Sequence, residues 1–137
     1  MKIHVVTQKE QHIEGFERVE VKDGVVNLDA YSDNECDTIL ASDSLDHFDF
    51  PRMQSFILAA RQKMRMGSKL IIGGTDIRLL SRHIVDGSIG IEDANELLFS
   101  KRCCADLTTV TNLVQHIGLN ILTTKLSGIH YEIEASR

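Results

Sequence analysis

Solid apolar runs and helix-spaced apolar stripes take turns along this chain. Residues 2–7 (KIHVVT) are the first solid run and predict a short strand; residues 7–15 are polar and too few for a full crossover helix. Residues 16–21 (FERVEV) alternate, and Asp23-Gly24 separates them from VVNLDA. An Asp-Gly pair between β-rich runs is a strong hairpin signal, whereas parallel neighbours need a crossover of about a dozen residues. Either this edge of the sheet is antiparallel, or residues 25–28 are barely a strand.

Residues 37–42 (DTILAS) give a central strand. Asp49 or Phe50 then precedes Pro51, which suits a first helical turn because its missing N–H is no loss there. Met53, Phe56, Ile57, Ala60 and Met64 follow at helical spacing, and Gly67 offers a C-terminal cap. Residues 69–72 are the next strand and run into Gly73-Gly74. Thr75 or Asp76 can cap a helix through Val85, with Ile77, Leu80 and Ile84 on one face. Residues 91–99 predict another helix, with Ile91, Ala94, Leu97 and Leu98 inward, and Leu107, Val110, Leu113, Val114 and Ile117 a further one, stopped by Gly118. Two strands, 119–126 and 129–135, close the chain around Ser127-Gly128. In the last of them Ile129, Tyr131, Ile133 and Ala135 alternate with His130, Glu132 and Glu134, so one face should be polar or weakly covered. Alternating strands and helices mean α/β: one domain over residues 1–137, with a mixed sheet and a C-terminal antiparallel pair.

Composition narrows the class without changing this picture. At 137 residues the chain fits one domain, and 42% hydrophobic with 26% charged residues describes an ordinary globular protein. No apolar run approaches the ~20 residues of a membrane span, and the N-terminus does not read as a signal peptide. A net charge of −5 argues against a nucleic-acid-binding surface. Cys36, Cys103 and Cys104 have no metal-ligand spacing, so reduced thiols and a cytoplasmic location are the expectation, with no metal.

The order of motifs resembles a small class I S-adenosylmethionine-dependent methyltransferase of the compact, methyltransferase type 11-like group, over nearly the whole chain. KIHVVTQKEQHIEGFERVEV stands where that family has its first strand, glycine loop and second strand, and Glu20 falls on the acidic position that takes the ribose hydroxyls. NLDA places Asp29 and Ala30 at the adenine position. The family's Asp-x-Ile through Leu-Glu-His segment appears as Asp37-Thr38-Ile39 through Leu45-Asp46-His47, and its Pro-Gly-Gly turn as MRMGSKL. The resemblance implies S-adenosylmethionine as cofactor, held by Thr7, Glu20, Asp29, Ala30 and Ser42, and a small or glycan-like methyl acceptor. One departure stands out. The first loop reads Val5, Val6, Thr7, Gln8, without glycine before Gly15, where the family lets the backbone approach the cofactor closely.

Each candidate residue has a plainer reading beside the functional one. Glu20 has two acceptor oxygens for two ribose hydroxyls, or is a solvated strand-end acid. Asp29 reads an adenine amino group, or caps its own turn. Ser42, Asp46 and His47 follow the central strand, where His47 first and Asp46 second are candidates to take a proton from an acceptor hydroxyl or amine; the alternative is a polar approach to a helix capped by Asp49. His83 and His116 lie near helix C-termini, a favourable place for imidazole. Lys101-Arg102 beside Cys103-Cys104 could lower a thiol pKa.

Two classes of function follow. One is methyl transfer, which needs an open pocket between Thr7, Glu20, Asp29 and Ser42. The other is a methyltransferase-fold binding or regulatory module without catalysis, in which Val5, Val6, Gln8 or His12 fill that pocket. The last strand and the thin N-terminal edge are candidates for pairing with a second copy, so a homo-oligomer is a possible assembly.

Overall fold

The computed structural model describes residues 1–7 and 11–137. Its strands are β1 (Lys2–Val6), β2 (Glu17–Glu20), β3 (Cys36–Ala41), β4 (Met64–Thr75), β5 (Asn120–Ser127) and β6 (His130–Ser136), and its helices α1 (Phe50–Lys63), α2 (Ile77–Val85), α3 (Ile91–Phe99) and α4 (Leu107–Ile117). A short 3-10 turn covers Leu45–His47. The strands form one sheet in the order β2-β1-β3-β4-β6-β5. The first four are parallel, and β6 runs antiparallel to both β4 and β5.

Register decides which face carries the core. Ile3, Ile39, Leu70 and Ala135 sit side by side across four strands, and Ala41, Ile72 and Ile133 across three. All are fully buried, and they share one cluster with Met53, Phe56, Ile57 and Ala60 of α1 and Val110 and Val114 of α4. These two helices therefore roof a single face, each laying down the apolar stripe its sequence spacing predicts.

The Asp23-Gly24 turn forms, with φ of 51° and 78°, but the hairpin stops after one bridge between Lys22 and Val25. Residues 25–28 are thus barely a strand, and β2 instead pairs parallel with β1. The reason is burial. Parallel pairing sets Val19 beside Val5 on the core face, which a longer hairpin would not. Gly67 does not cap α1. The helix ends at Lys63, and Gly67, at φ 80°, lies where the ladder jumps from Cys36–Met64 to Thr38–Lys69. Asp49 occupies the N-cap position of α1, but its carboxylate turns to Arg102 at 2.9 Å instead of capping the helix. The last strand is not an edge either: β6 is paired on both sides, and β5 is the edge.

Candidate functional site

Chain order reverses between β1 and β3, since β2 lies on one side of β1 and β3 on the other. Open α/β sheets hold ligands at the carboxyl end of such a switch point. A cleft of about 730 Å³ opens there. Thr7 lines it from the end of β1, Val21 and Lys22 from the end of β2, His47 from the turn after β3, and Ser100 and Arg102 from the segment after α3. A second hollow of about 560 Å³ is lined by Glu20, Ala30 and Tyr31 among others, and again by Lys22. Lys22 thus lines both.

The structure thus brings Thr7 and His47 together in one hollow and Glu20 and Ala30 in the next. Asp29 is exposed beside Ala30, where its backbone N–H donates to Asn27 Oδ1 at 2.8 Å, so the side chain that closes this turn belongs to Asn27. Ser42 is half-buried, and its carbonyl accepts from Ser44 Oγ at 3.3 Å. Ser44 Oγ also reaches the Val5 carbonyl at 2.9 Å, stitching the exits of β1 and β3 together. Val5 points into the core, and Val6 is fully buried. Gln8 lies outside the described residues, and His12 is exposed.

Two neighbours in sequence, Asp46 and His47, have opposite surroundings. Asp46 is 4% exposed and turns away from the cleft. Its carboxylate accepts from the Thr75 N–H at 2.9 Å and the Thr75 hydroxyl at 2.7 Å, and the Lys101 ammonium stands 3.6 Å away. Burial nevertheless pushes its pKa above the usual carboxylate range. His47 is half-buried at the cleft wall, and burial holds its pKa below the usual 6.5, against the pull of Asp46. It is therefore a neutral imidazole at neutral pH, the form that accepts a proton.

The segment after α3 is what the sequence reading missed. The N–H groups of Arg102 and Cys103 both donate to the Asp46 carbonyl, which pins this segment over the turn after β3. Arg102 is thereby carried to the cleft, paired with Asp49. Lys22 follows just after β2 and lines both hollows. Arg102 carried no sequence signal, because the contacts that place it are tertiary. The cysteines are the reverse case. Burial, with Asp46 next in weight, pushes the Cys103 thiol up to about 11, and Cys104 is raised as well. Lys101 does pull the Cys104 thiol down as expected, but burial and the Asp46 charge outweigh it. Among the described residues no group of His, Cys, Asp or Glu is placed to hold a metal ion, and no helix is long and apolar enough to cross a membrane.

No family model matches the chain, and no curated protein matches it in sequence. Solved structures do match in fold. A SAM-dependent methyltransferase of Archaeoglobus fulgidus aligns with 14% identity and a TM-score of 0.61, over 90% of this chain and 68% of its own. An S-adenosylmethionine-dependent methyltransferase of Mesorhizobium loti aligns with 10% identity and a TM-score of 0.64, over 90% of this chain and 70% of its own. An O-methyltransferase family 2 protein of Planctomyces limnophilus, in complex with apigenin, aligns with 15% identity and a TM-score of 0.56, over 88% of this chain but 34% of its own. The chain also spans 59% of a Pyrococcus horikoshii neighbour, so the neighbours carry substantial length it does not match. These likenesses and the mixed six-stranded sheet define the class: the chain has the Rossmann-like α/β fold of class I S-adenosylmethionine-dependent methyltransferases.

Proposed function

We propose that the chain binds S-adenosylmethionine across the two hollows and transfers its methyl group to a small or glycan-like acceptor. The observation that carries this reading is the cleft at the switch point, which shares Lys22 in its lining with the hollow that holds Glu20 and Ala30. Its shape suits a ligand with a charged amino-acid end and a nucleoside end. Glu20 offers two acceptor oxygens to a ribose, and its carboxylate is kept in place by Arg18 at 3.6 Å and Lys22 at 3.9 Å. Thr7 and Arg102 offer a hydroxyl and a guanidinium to the amino-acid end, the latter suited to a carboxylate. Asp29, exposed next to Ala30, and Ser42, half-buried just after β3, line neither hollow and have no part in this reading.

When bound, the cofactor supplies an electrophilic methyl group on a sulfonium. The chain's own part is to hold the acceptor in line with it, which alone supplies much of the rate. Where the acceptor is a hydroxyl or an amine, His47 takes its proton. Asp46 contributes by fixing the turn that carries His47, through Thr75 and Lys101. That the neighbour from Planctomyces limnophilus is in complex with apigenin supports a small-molecule acceptor here.

A second reading, a binding module of the same fold without catalysis, is favoured by the glycine-free Val5-Val6-Thr7 exit of β1. Calorimetric and thermal-shift titration with S-adenosylmethionine and S-adenosylhomocysteine separates the two. At ligand near 100 times its dissociation constant, binding adds about 2.7 kcal/mol to stability and raises the melting temperature by roughly 5–10 °C. The expected result is a shift of this kind that Glu20→Ala removes. No shift at millimolar ligand sinks the methyltransferase reading and leaves the binding module.

A further inference from the structure

Asp49 breaks a local rule. It stands at the N-cap of α1 with extended backbone, φ −64° and ψ 137°, and aspartate is among the best side chains for that place. Yet its carboxylate accepts no N–H of the helix. Where a rule of local structure fails without compensation nearby, a functional or strained site is the expected reason.

The carboxylate goes instead to the wall of the cleft. Oδ1 accepts from Arg102 Nη1 at 2.9 Å, and Arg52 Nε stands 3.7 Å from Oδ2. The carboxylate lies over Gly24, in the turn after β2, and the Asp49 N–H donates to the Gly24 carbonyl at 3.1 Å. The start of α1, the turn after β2 and the segment after α3 thus meet at one ion pair, and Gly24 and Arg102 both line the cleft. The two side chains are 39% and 47% exposed, so the pair adds little to stability.

What it fixes is a direction. Arginine carries five N–H donors in a planar fork. Nη1 is held by Asp49, and the Arg102 backbone is pinned to the Asp46 carbonyl. Asp23, 3.9 Å from Nη2, is beyond hydrogen-bond reach, so among the described residues the Nε and Nη2 donors have no hydrogen-bond partner. Two adjacent donors of this kind receive a carboxylate bidentately.

We propose that Asp49 is a positioning residue for cofactor binding: it gives up the cap of α1 to hold the Arg102 guanidinium, whose free edge then receives the carboxylate of the cofactor's amino-acid end. The assignment rests on the methyltransferase reading, and Asp49 itself touches no part of the cofactor.

Calorimetric titration with two ligands tests it: S-adenosylhomocysteine, and 5′-methylthioadenosine, which keeps the nucleoside and the sulfur but lacks the amino-acid end. Asp49→Ser removes the ion pair and leaves a side chain that caps helices as well as aspartate does. It should weaken S-adenosylhomocysteine by roughly three- to tenfold, the cost of ordering a freed arginine on binding, and leave 5′-methylthioadenosine unchanged. Arg102→Met should weaken S-adenosylhomocysteine further still, and adding Asp49→Ser to it should cost nothing more, since both act through one contact. Equal losses for the two ligands, an Asp49→Ser chain that binds S-adenosylhomocysteine as well as wild type or better, or additive losses in the double variant would overturn the assignment and leave the cofactor reading standing. A wild-type chain that binds neither ligand would overturn both.

Discussion

At the scale of single residues, the molecule turns on which polar groups find partners in the interior. Asp46 is buried with three: the N–H and hydroxyl of Thr75, and Lys101. Removing the carboxylate strands a backbone donor and an ammonium whose side chain is only 13% exposed. Asp46→Ala should therefore cost about 3 kcal/mol in urea unfolding, although the wild-type carboxylate is itself penalised by burial. Tyr131 is the contrast. It is 2% exposed, yet its hydroxyl has no hydrogen-bond partner among the described residues, so Tyr131→Phe should change stability by no more than about 0.5 kcal/mol. A large loss in Tyr131→Phe together with a negligible one in Asp46→Ala would invert this ranking. Glycine matters here at one point. A Cβ on Gly74 would lie 2.7 Å from Asp46 Oδ1 and 3.3 Å from the Tyr131 hydroxyl, so the second glycine of Gly73-Gly74 makes room for the buried carboxylate.

At the scale of elements, one side chain serves two helices. Asp76 Oδ1 accepts from the N–H groups of Arg78 and Leu79 at the start of α2, and Oδ2 from the N–H of Leu107 at the start of α4. A single N-cap is worth about 1 kcal/mol, so Asp76→Ala should cost about 2 kcal/mol by denaturant titration, and Asp76→Asn, which keeps one acceptor oxygen, about half as much. Equal losses in the two variants would show that the double cap is not what matters. Half of this device was legible in the sequence: Thr75 or Asp76 stands before an apolar stripe as the cap of α2, and the structure gives that place to Asp76. The other half was not, because Leu107 is distant in sequence and meets Asp76 only where Ala105 bridges back to the end of β4. The same distinction runs through the fold. The spans of α3 and α4 were readable from periodicity and from Gly118, at φ 96°. The failure of Asp49 to cap α1 was not, since Arg102 competes for it from the far side of the cleft.

At the scale of the whole molecule, position in the sheet does the work that local motifs cannot. The α/β class and the closing antiparallel pair follow from the alternation of patterns. Which face of the sheet is covered does not, since that depends on how each crossover passes, and the connection from β1 to β2 brings no helix among the described residues. The candidate site divides along the same line. Glu20 was identifiable at the end of β2 and His47 in the Leu45-Asp46-His47 segment after β3, whereas Arg102 enters the cleft through contacts between distant segments.

The central claim is that one ligand spans the two hollows that share Lys22. Mapping backbone amide shifts by nuclear magnetic resonance while titrating S-adenosylhomocysteine tests it most directly. The account predicts shifts at Thr7, Val21, Lys22 and His47 together with Glu20 and Ala30, saturating at one concentration. Shifts absent from these positions, or confined to a different part of the surface, would contradict it.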